Sequence, residues 1–161
     1  MSEKQVVLTP AGHERILAEL RELQTVRRHE VAENIRQAKA YGDIAENAEY
    51  EDAKNEQAFL EGRISELKNL LGTAIIIEED EIPTDEVGIG SVVKVRDLEF
   101  NDEWEFTMVG SYEADPDADR ISHESPIGEA LFGKRVGDVV EANVPAGTVR
   151  YEILSIRRPG S

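Results

Sequence analysis

The chain of 161 residues contains no cysteine, which excludes disulfide bonds and thiolate-bound metal sites. It also lacks a long apolar segment, since none of its hydrophobic runs approaches the ~20 residues that a membrane-spanning helix requires. The first residues, Met-Ser-Glu-Lys-Gln, are polar and lack the hydrophobic region of a signal peptide. We therefore expect a soluble protein of the cytoplasm that does not contact membranes.

Basic residues are scarce. The chain has 18 Lys and Arg against 34 Asp and Glu, which gives a formal net charge of −16. The imbalance is uneven, because residues 1–78 carry a net charge of −5 and residues 79–161 carry −11. Proteins that bind nucleic acids without sequence preference usually present a basic surface to the phosphates. The acidic charge therefore disfavours general nucleic-acid binding. A protein partner that offers a cationic or metal-bearing surface fits the charge better.

Residues 1–78 predict two helices that pack as a hairpin. Thr9 is a suitable N-cap, Pro10 suits the first helical position, and Gly42 suits a left-handed C-terminal position, so we expect a helix over 10–41. Its apolar residues follow at steps of three and four, with one step of five: Ile16, Leu17, Leu20, Leu23, Val26, Val31, Ile35 and Ala38. A heptad pattern predicts the second helix: Ala53, Leu60, Ile64, Leu67 and Leu71. The short connection predicts an antiparallel coiled coil.

Composition changes after the hairpin. Residues 74–77 predict a short buried strand, and the acidic segment 79–90 predicts a solvated linker. From Ser91 the pattern has a period of two, which predicts strands over residues 91–96, 104–110, 139–144 and 149–156. Ser125-Pro126 predicts one short helix that ends at Gly133. The fold class is therefore α+β, with a β-rich domain over residues 91–161.

The segment between the two helices carries two carboxylates, Asp43 and Glu46, three residues apart. An Asp at an N-cap with a Glu at the third helical position forms a capping box, which would satisfy free backbone N–H groups. The same pair is also half of a divalent-metal site, because magnesium prefers hard oxygen ligands but is held poorly by two carboxylates alone. The two interpretations are compatible, since a capping carboxylate keeps a lone pair that faces outward.

Few basic residues flank this tip. Arg36, Lys39 and Lys54 are candidates for contacts with RNA phosphates. They are equally suited to pairs on the helix surface, for example Lys39 with Asp43 or Lys54 with Glu51. The histidines at positions 13, 29 and 123 have no metal-ligand spacing and are interpreted as ordinary surface or packing residues.

Motifs in both halves of the chain match one family. The hairpin tip reads Tyr41-Gly42-Asp43-Ile44-Ala45-Glu46-Asn47-Ala48-Glu49-Tyr50, and the second helix continues Gln57-Ala58-Phe59-Leu60-Glu61-Gly62-Arg63-Ile64. Leu8-Thr9-Pro10-Ala11-Gly12 and Val26-Arg27-Arg28 agree, as does the later run Ile121-Ser122 followed by Ser125-Pro126-Ile127-Gly128-Glu129-Ala130-Leu131-Phe132-Gly133-Lys134. Over nearly its whole length the chain resembles the bacterial transcript cleavage factors of the Gre family, of the GreA type.

The resemblance implies a protein that is not itself an enzyme. Members bind bacterial RNA polymerase through a C-terminal domain similar to FKBP-type isomerases, and their coiled coil enters the secondary channel. Asp43 and Glu46 would then be the catalytic pair that holds a Mg²⁺ ion jointly with the polymerase, which cleaves backtracked nascent RNA near its 3′ end. Tyr41, Gly42, Asn47 and Tyr50 would support the tip. The sparse basic patch favours the GreA type, and we expect a monomer.

Two other functions stay open. The first is a channel-binding regulator of transcription that does not promote cleavage. The second is a peptidyl-prolyl isomerase, suggested by the FKBP-like half. The isomerase is the weaker alternative because such sites are lined with aromatic residues, and residues 91–161 contain only six aromatic residues: Phe100, Trp104, Phe106, Tyr112, Phe132 and Tyr151.

Overall fold

The computed structural model describes residues 5–40 and 48–160. The chain divides into two compact units. One unit combines the first twelve residues with residues 74–161, and the other consists of residues 13–73. This division differs from the predicted boundaries at 78 and 91, because both ends of the helical region return to the same unit. No helix in the described parts of the chain is long and apolar enough to cross a membrane.

The helical unit is built from an almost continuous first helix and a long second one. The first comprises α1 (Pro10–Glu22), a π-helical turn (Leu23–Arg27) and α2 (Arg28–Lys39), and the second is α3 (Ala48–Thr73). The π-turn coincides with the step of five in the apolar pattern. Such a turn takes up one extra residue, so the pattern resumes at the fully buried Val31 and leaves Val26 53% exposed.

The helices of this unit enclose a buried apolar cluster. Val31, Leu60 and Ile64 form its buried centre, and Leu20, Leu23 and Ile35 pack against them. Residues late in α3 face residues early in the first helix, so the helices run antiparallel, as predicted. The predicted seam on α3 is confirmed at four of its five positions. It is wrong at Leu71, which is half-buried, whereas the neighbouring Leu70 is buried.

The other unit is built around a five-stranded sheet and one short helix: β3 (Val92–Asp97), β4 (Glu103–Val109), β5 (Arg120–Ser122), α4 (Pro126–Leu131), β6 (Val139–Val144) and β7 (Gly147–Arg157). The order of the strands in the sheet is β5-β4-β3-β7-β6. All neighbours pair antiparallel except β4 and β5, which are parallel. The α+β prediction, with one short α-helix beside the sheet, is confirmed.

The sheet covers a well-packed apolar core. Its buried members are Val87, Val93, Val95, Phe106, Met108, Ile121, Leu131, Val140, Ile153 and Ile156. Trp104, the only tryptophan of the chain, packs at the edge of this cluster and donates from Nε1 to Asp119 Oδ1 at 3.0 Å. Its fluorescence therefore reports on this unit alone.

Two short parallel strands, β1 (Val7–Leu8) and β2 (Ile75–Ile76), belong to the same unit. The predicted strand over 74–77 therefore exists, but the prediction that it is buried is wrong, since Ile75 is 48% exposed. Only one side of this pair packs inward, which leaves alternate side chains in solvent. The β1 strand was not predicted.

The acidic segment 79–90 is packed more tightly than a solvated linker. Ile82 and Val87 are completely buried, because removing apolar side chains from water is favourable. Arg158 fastens the segment by donating from Nε to the carbonyl of Ile82 at 3.0 Å and from Nη2 to the carbonyl of Asp80 at 2.8 Å. The acidic side chains themselves stay exposed, as predicted.

The start of α1 is held by a buried carboxylate. Glu113, only 7% exposed, accepts hydrogen bonds from Thr9 N (2.8 Å) and Thr9 Oγ1 (2.7 Å). The Thr9 hydroxyl in turn accepts the Gly12 N–H at 3.0 Å, which caps the helix as predicted. A Cβ on Gly12 would lie 2.1 Å from a Glu113 oxygen, so glycine is required for this approach.

Replacing Thr9 by valine tests this contact. Valine keeps the shape but removes the hydroxyl, so Glu113 loses one donor and Gly12 N–H loses its acceptor. We expect the free energy of unfolding to fall by about 1–3 kcal/mol, measured by urea titration of Trp104 fluorescence. Thr9→Ser retains the hydroxyl and should stay close to the original. Equal losses in both variants would contradict a role for the hydroxyl.

Candidate functional site

The predicted catalytic pair, Asp43 and Glu46, lies outside the described residues, as do Tyr41, Gly42 and Asn47. The choice between a capping box and a metal half-site therefore stays a prediction. The described chain approaches this segment from both sides, since α2 ends at Lys39 and α3 begins at Ala48.

Small residues pack between the helices near the tip. Ala38 and Ala53 are buried between α2 and α3, at 3% and 6% exposure, where the rest of the seam uses larger residues. Small side chains allow two helices to approach closely. Beside these alanines lies an open cleft of about 250 Å³, lined also by Asn34, Gln37, Glu49, Asp52 and Glu56.

Carboxylates dominate the first turns of α3. Glu49 and Glu51 lie in its first turn, where negative charge is favoured by the helix dipole, and Asp52 follows. All three are exposed. Among the described residues no group of three or more Asp, Glu or His is placed to hold a metal ion. Tyr50, the one predicted tip-support residue that is described, is half-buried in the same turn.

The three predicted RNA-contact residues are all exposed and lie on both helices. Arg36 on α2 pairs with Glu33, with Nε 3.1 Å from Oε2, and this pairing lowers the pKa of Glu33 and raises the pKa of Arg36. Lys39 follows one turn later, and its suggested partner Asp43 is outside the described residues. On α3, Lys54 Nζ lies 3.4 Å from Gln57 Oε1 rather than against Glu51.

Arginines clamp the two helices together, a feature that sequence inspection missed. Arg28 Nη2 lies 2.8 Å from Glu61 Oε1, Arg63 Nη2 lies 3.0 Å from Glu19 Oε1, and Arg27 pairs with Glu56. The hydrogen bond between Arg28 and Glu61 raises the pKa of the guanidinium and lowers the pKa of the carboxyl. These ion pairs could have been predicted by aligning the two antiparallel helices residue by residue, since that alignment places the opposite charges side by side.

In the other unit, the motif around Ser125-Pro126 forms a compact turn before α4. Ser125 Oγ accepts the Gly128 N–H at 3.1 Å, which confirms the predicted cap. Gly128 packs so closely that a Cβ would lie 1.9 Å from the carbonyl oxygen of Ser122. The His123 ring lies 5.7 Å from that of Phe132 and its Nδ1 is buried without a partner among the described residues.

Two family models match the chain. The model described as "Transcription elongation factor, N-terminal" covers residues 6–76, and the model described as "Transcription elongation factor, GreA/GreB, C-term" covers residues 82–158. Together they span the hairpin, the sheet and both groups of motifs.

Curated relatives are similar over almost their full length. The protein named transcription elongation factor GreA from Clostridium perfringens (strain SM101) is 54% identical over 158 residues, which is 98% of this chain and 100% of the relative. The protein of the same name from Acetivibrio thermocellus is 54% identical over 157 residues, covering 98% and 99%. The crystal structure of GreA factor homolog 1 from Thermus thermophilus is 32% identical, covering 96% and 99%, with a TM-score of 0.44.

Proposed function

The chain belongs to the GreA/GreB family of transcription elongation factors, and from this premise we propose that it stimulates the cleavage of backtracked nascent RNA by bacterial RNA polymerase. The observation that carries the proposal is the antiparallel hairpin whose two helices lead directly into the segment with Asp43 and Glu46. In this proposal the polymerase owns the catalytic centre, and the factor, which acts in the cytoplasm as a monomer, completes it.

The hairpin has the dimensions of a probe. With 26 residues, α3 is about 39 Å long at 1.5 Å per residue. The small buried residues Ala38 and Ala53 are expected to keep the distal part of the hairpin slender, and the arginine clamps link its two helices. A rod of this kind can carry two carboxylates through the polymerase's secondary channel to a site that the globular unit cannot enter.

Asp43 and Glu46 would hold Mg²⁺ jointly with the polymerase. Carboxylate oxygens suit this ion, but two of them are too few for its octahedral shell, and the described part of the hairpin adds no metal-binding cluster. We therefore expect no magnesium binding by the factor alone. When bound between factor and polymerase, the ion would help to activate water and to stabilise the leaving oxygen of the phosphodiester.

The basic residues near the tip have different roles available to them. Arg36 would have to exchange its carboxylate partner Glu33 for an RNA phosphate, which reduces the free energy that the new contact contributes to binding. Lys54 contacts a neutral amide, that of Gln57, at 3.4 Å, and this weak contact can be exchanged for a phosphate at little cost. Lys39 is exposed and is the last residue of α2. Lys39 and Lys54 are thus the better candidates for contact with the RNA 3′ segment.

The direct test uses a purified bacterial core polymerase stalled in a backtracked state on RNA labelled at its 5′ end. Adding the factor with Mg²⁺ should shorten the labelled RNA faster than polymerase alone does, and nucleotides added afterwards should extend the new end. If the factor binds the polymerase but leaves the cleavage rate unchanged, it is a regulator that does not promote cleavage.

A further inference from the structure

One large apolar side chain on the hairpin is exposed to solvent. Phe59 lies in the middle of α3 and is 86% exposed, the largest exposure among the bulky hydrophobic residues described. A phenylalanine buries on the order of 150–250 Å² when it packs. Exposed aromatic residues beside a groove are typical anchors of protein interfaces.

Phe59 forms one wall of an apolar groove of about 460 Å³. The groove is lined by Leu23, Arg27, Asn55, Glu56, Phe59, Leu60 and Arg63. Leu60 belongs to the buried core and half-buried Leu23 packs against it, so the floor is continuous with the interior. Leu23 and Arg27 are also the first and last residues of the π-turn, a distortion that occurs frequently at functional sites.

Both arginines that line the groove are already paired. Arg27 pairs with Glu56 across the helices and with Glu30 at 3.2 Å. On the other side, Arg63 pairs with Glu19 and Glu66, both at 3.0 Å. Two guanidinium groups against four carboxylates give these pairs a formal net charge of −2, so they do not attract a phosphate or an acidic peptide. Because Leu23, Phe59 and Leu60 supply its apolar surface, the groove is suited to an apolar side chain.

Resting on the proposed function, we propose that this groove binds an apolar side chain that the RNA polymerase presents to the inserted hairpin. A second copy of the chain is disfavoured, because it brings a net charge of −16 against another −16. One phenylalanine and a seven-residue groove also fall far short of the ~1,200–2,000 Å² that a stable interface buries. A small apolar contact is instead suited to a secondary anchor, which strengthens binding once other parts of the factor are engaged.

The experiment compares Phe59→Ala with Val26→Ala on stalled, backtracked polymerase. Val26 is a matched control, since it is an exposed apolar residue of the same hairpin that does not line the groove. For Phe59→Ala we expect the factor concentration at half-maximal cleavage to rise about tenfold, the loss typical of an aromatic anchor. Maximal cleavage at saturating factor should be unchanged, and Val26→Ala should match the original in both quantities. Phe59→Leu, which keeps an apolar side chain, should recover most of the affinity.

Three results would overturn the docking surface. In the first, Phe59→Ala keeps its full helicity and binds the polymerase as tightly as the original. In the second, its maximal cleavage falls while the half-maximal concentration stays the same. In the third, sedimentation shows that the original chain self-associates through Phe59. A failure of the proposed function looks different, because the unaltered factor would then leave the cleavage rate unchanged.

Discussion

Asp43→Ser is expected to lower factor-stimulated RNA cleavage by about 100-fold, since losing a metal ligand should cost at least as much as losing one of its supporting residues. Serine keeps the ability to cap a helix, but its hydroxyl is a much poorer ligand for magnesium than a carboxylate. Helicity, thermal stability and the affinity for polymerase should therefore stay the same. The measurement is the cleavage rate of 5′-labelled RNA at saturating factor.

The matched control is Asp52→Ser. This substitution removes the same charge from an exposed position of α3, a few residues beyond the tip. The Asp52→Ser variant should stimulate cleavage as strongly as the unaltered factor if the position of the carboxylate, rather than the overall charge, determines the effect. Unchanged cleavage by Asp43→Ser would assign Asp43 to the capping box alone and favour a regulator that does not promote cleavage.

Ile64→Ala is expected to destabilise the hairpin by about 2–5 kcal/mol, the usual cost of emptying a buried aliphatic position. Ile64 is 2% exposed and packs in one cluster with the buried Val31 and Leu60, so its truncation leaves a cavity between the helices. Loss of the hairpin should also abolish stimulated cleavage. Urea unfolding followed by circular dichroism at 222 nm reports mainly on the long helices and should shift to lower denaturant.

Trp104 fluorescence provides the internal reference for this variant, because that residue packs in the other unit. Its transition should stay in place in Ile64→Ala. Ser65→Ala, at the exposed neighbouring position, should move neither signal. If both transitions of Ile64→Ala shift together, the two units unfold as one and the hairpin core does not act independently.

Elements with a long regular pattern were predicted well. β6 runs over Val139–Val144 as expected, because the alternation is clear and a Pro-Ala-Gly turn follows it. β1 and β5 were missed, since strands of two and three residues are too short to show a period of two. Their formation depends on pairing with residues distant in sequence, which a local pattern does not contain.

The first helix shows the limit of periodicity in another way. The step of five in its apolar pattern was visible, but Val26 was counted as part of the seam. In the structure a π-turn takes up the extra residue, and Val26 points away from the core. The irregular step was itself the signal of the irregular turn.

For the candidate site, the sequence motif identified Asp43 and Glu46 but not the ion pairs between the helices that lead to them. The Arg28–Glu61 and Arg63–Glu19 clamps join residues more than thirty positions apart. Finding them requires the register of two packed helices. Likewise, nothing in the pattern distinguishes exposed Phe59 from its buried neighbour Leu60. That difference depends on which side of α3 the other helix packs against.

The pairing of β1 with β2 makes the helical unit an insertion within the other unit. Val6 accepts the Ile75 N–H and Leu8 accepts the Ile77 N–H, both at 2.9 Å, so the chain leaves and re-enters the same parallel ladder. The helical segment is thus inserted between two neighbouring strands, which fix both of its ends. Whole heptads can be added to or removed from both of its arms without altering either junction, which gives evolution and engineers a way to set its reach.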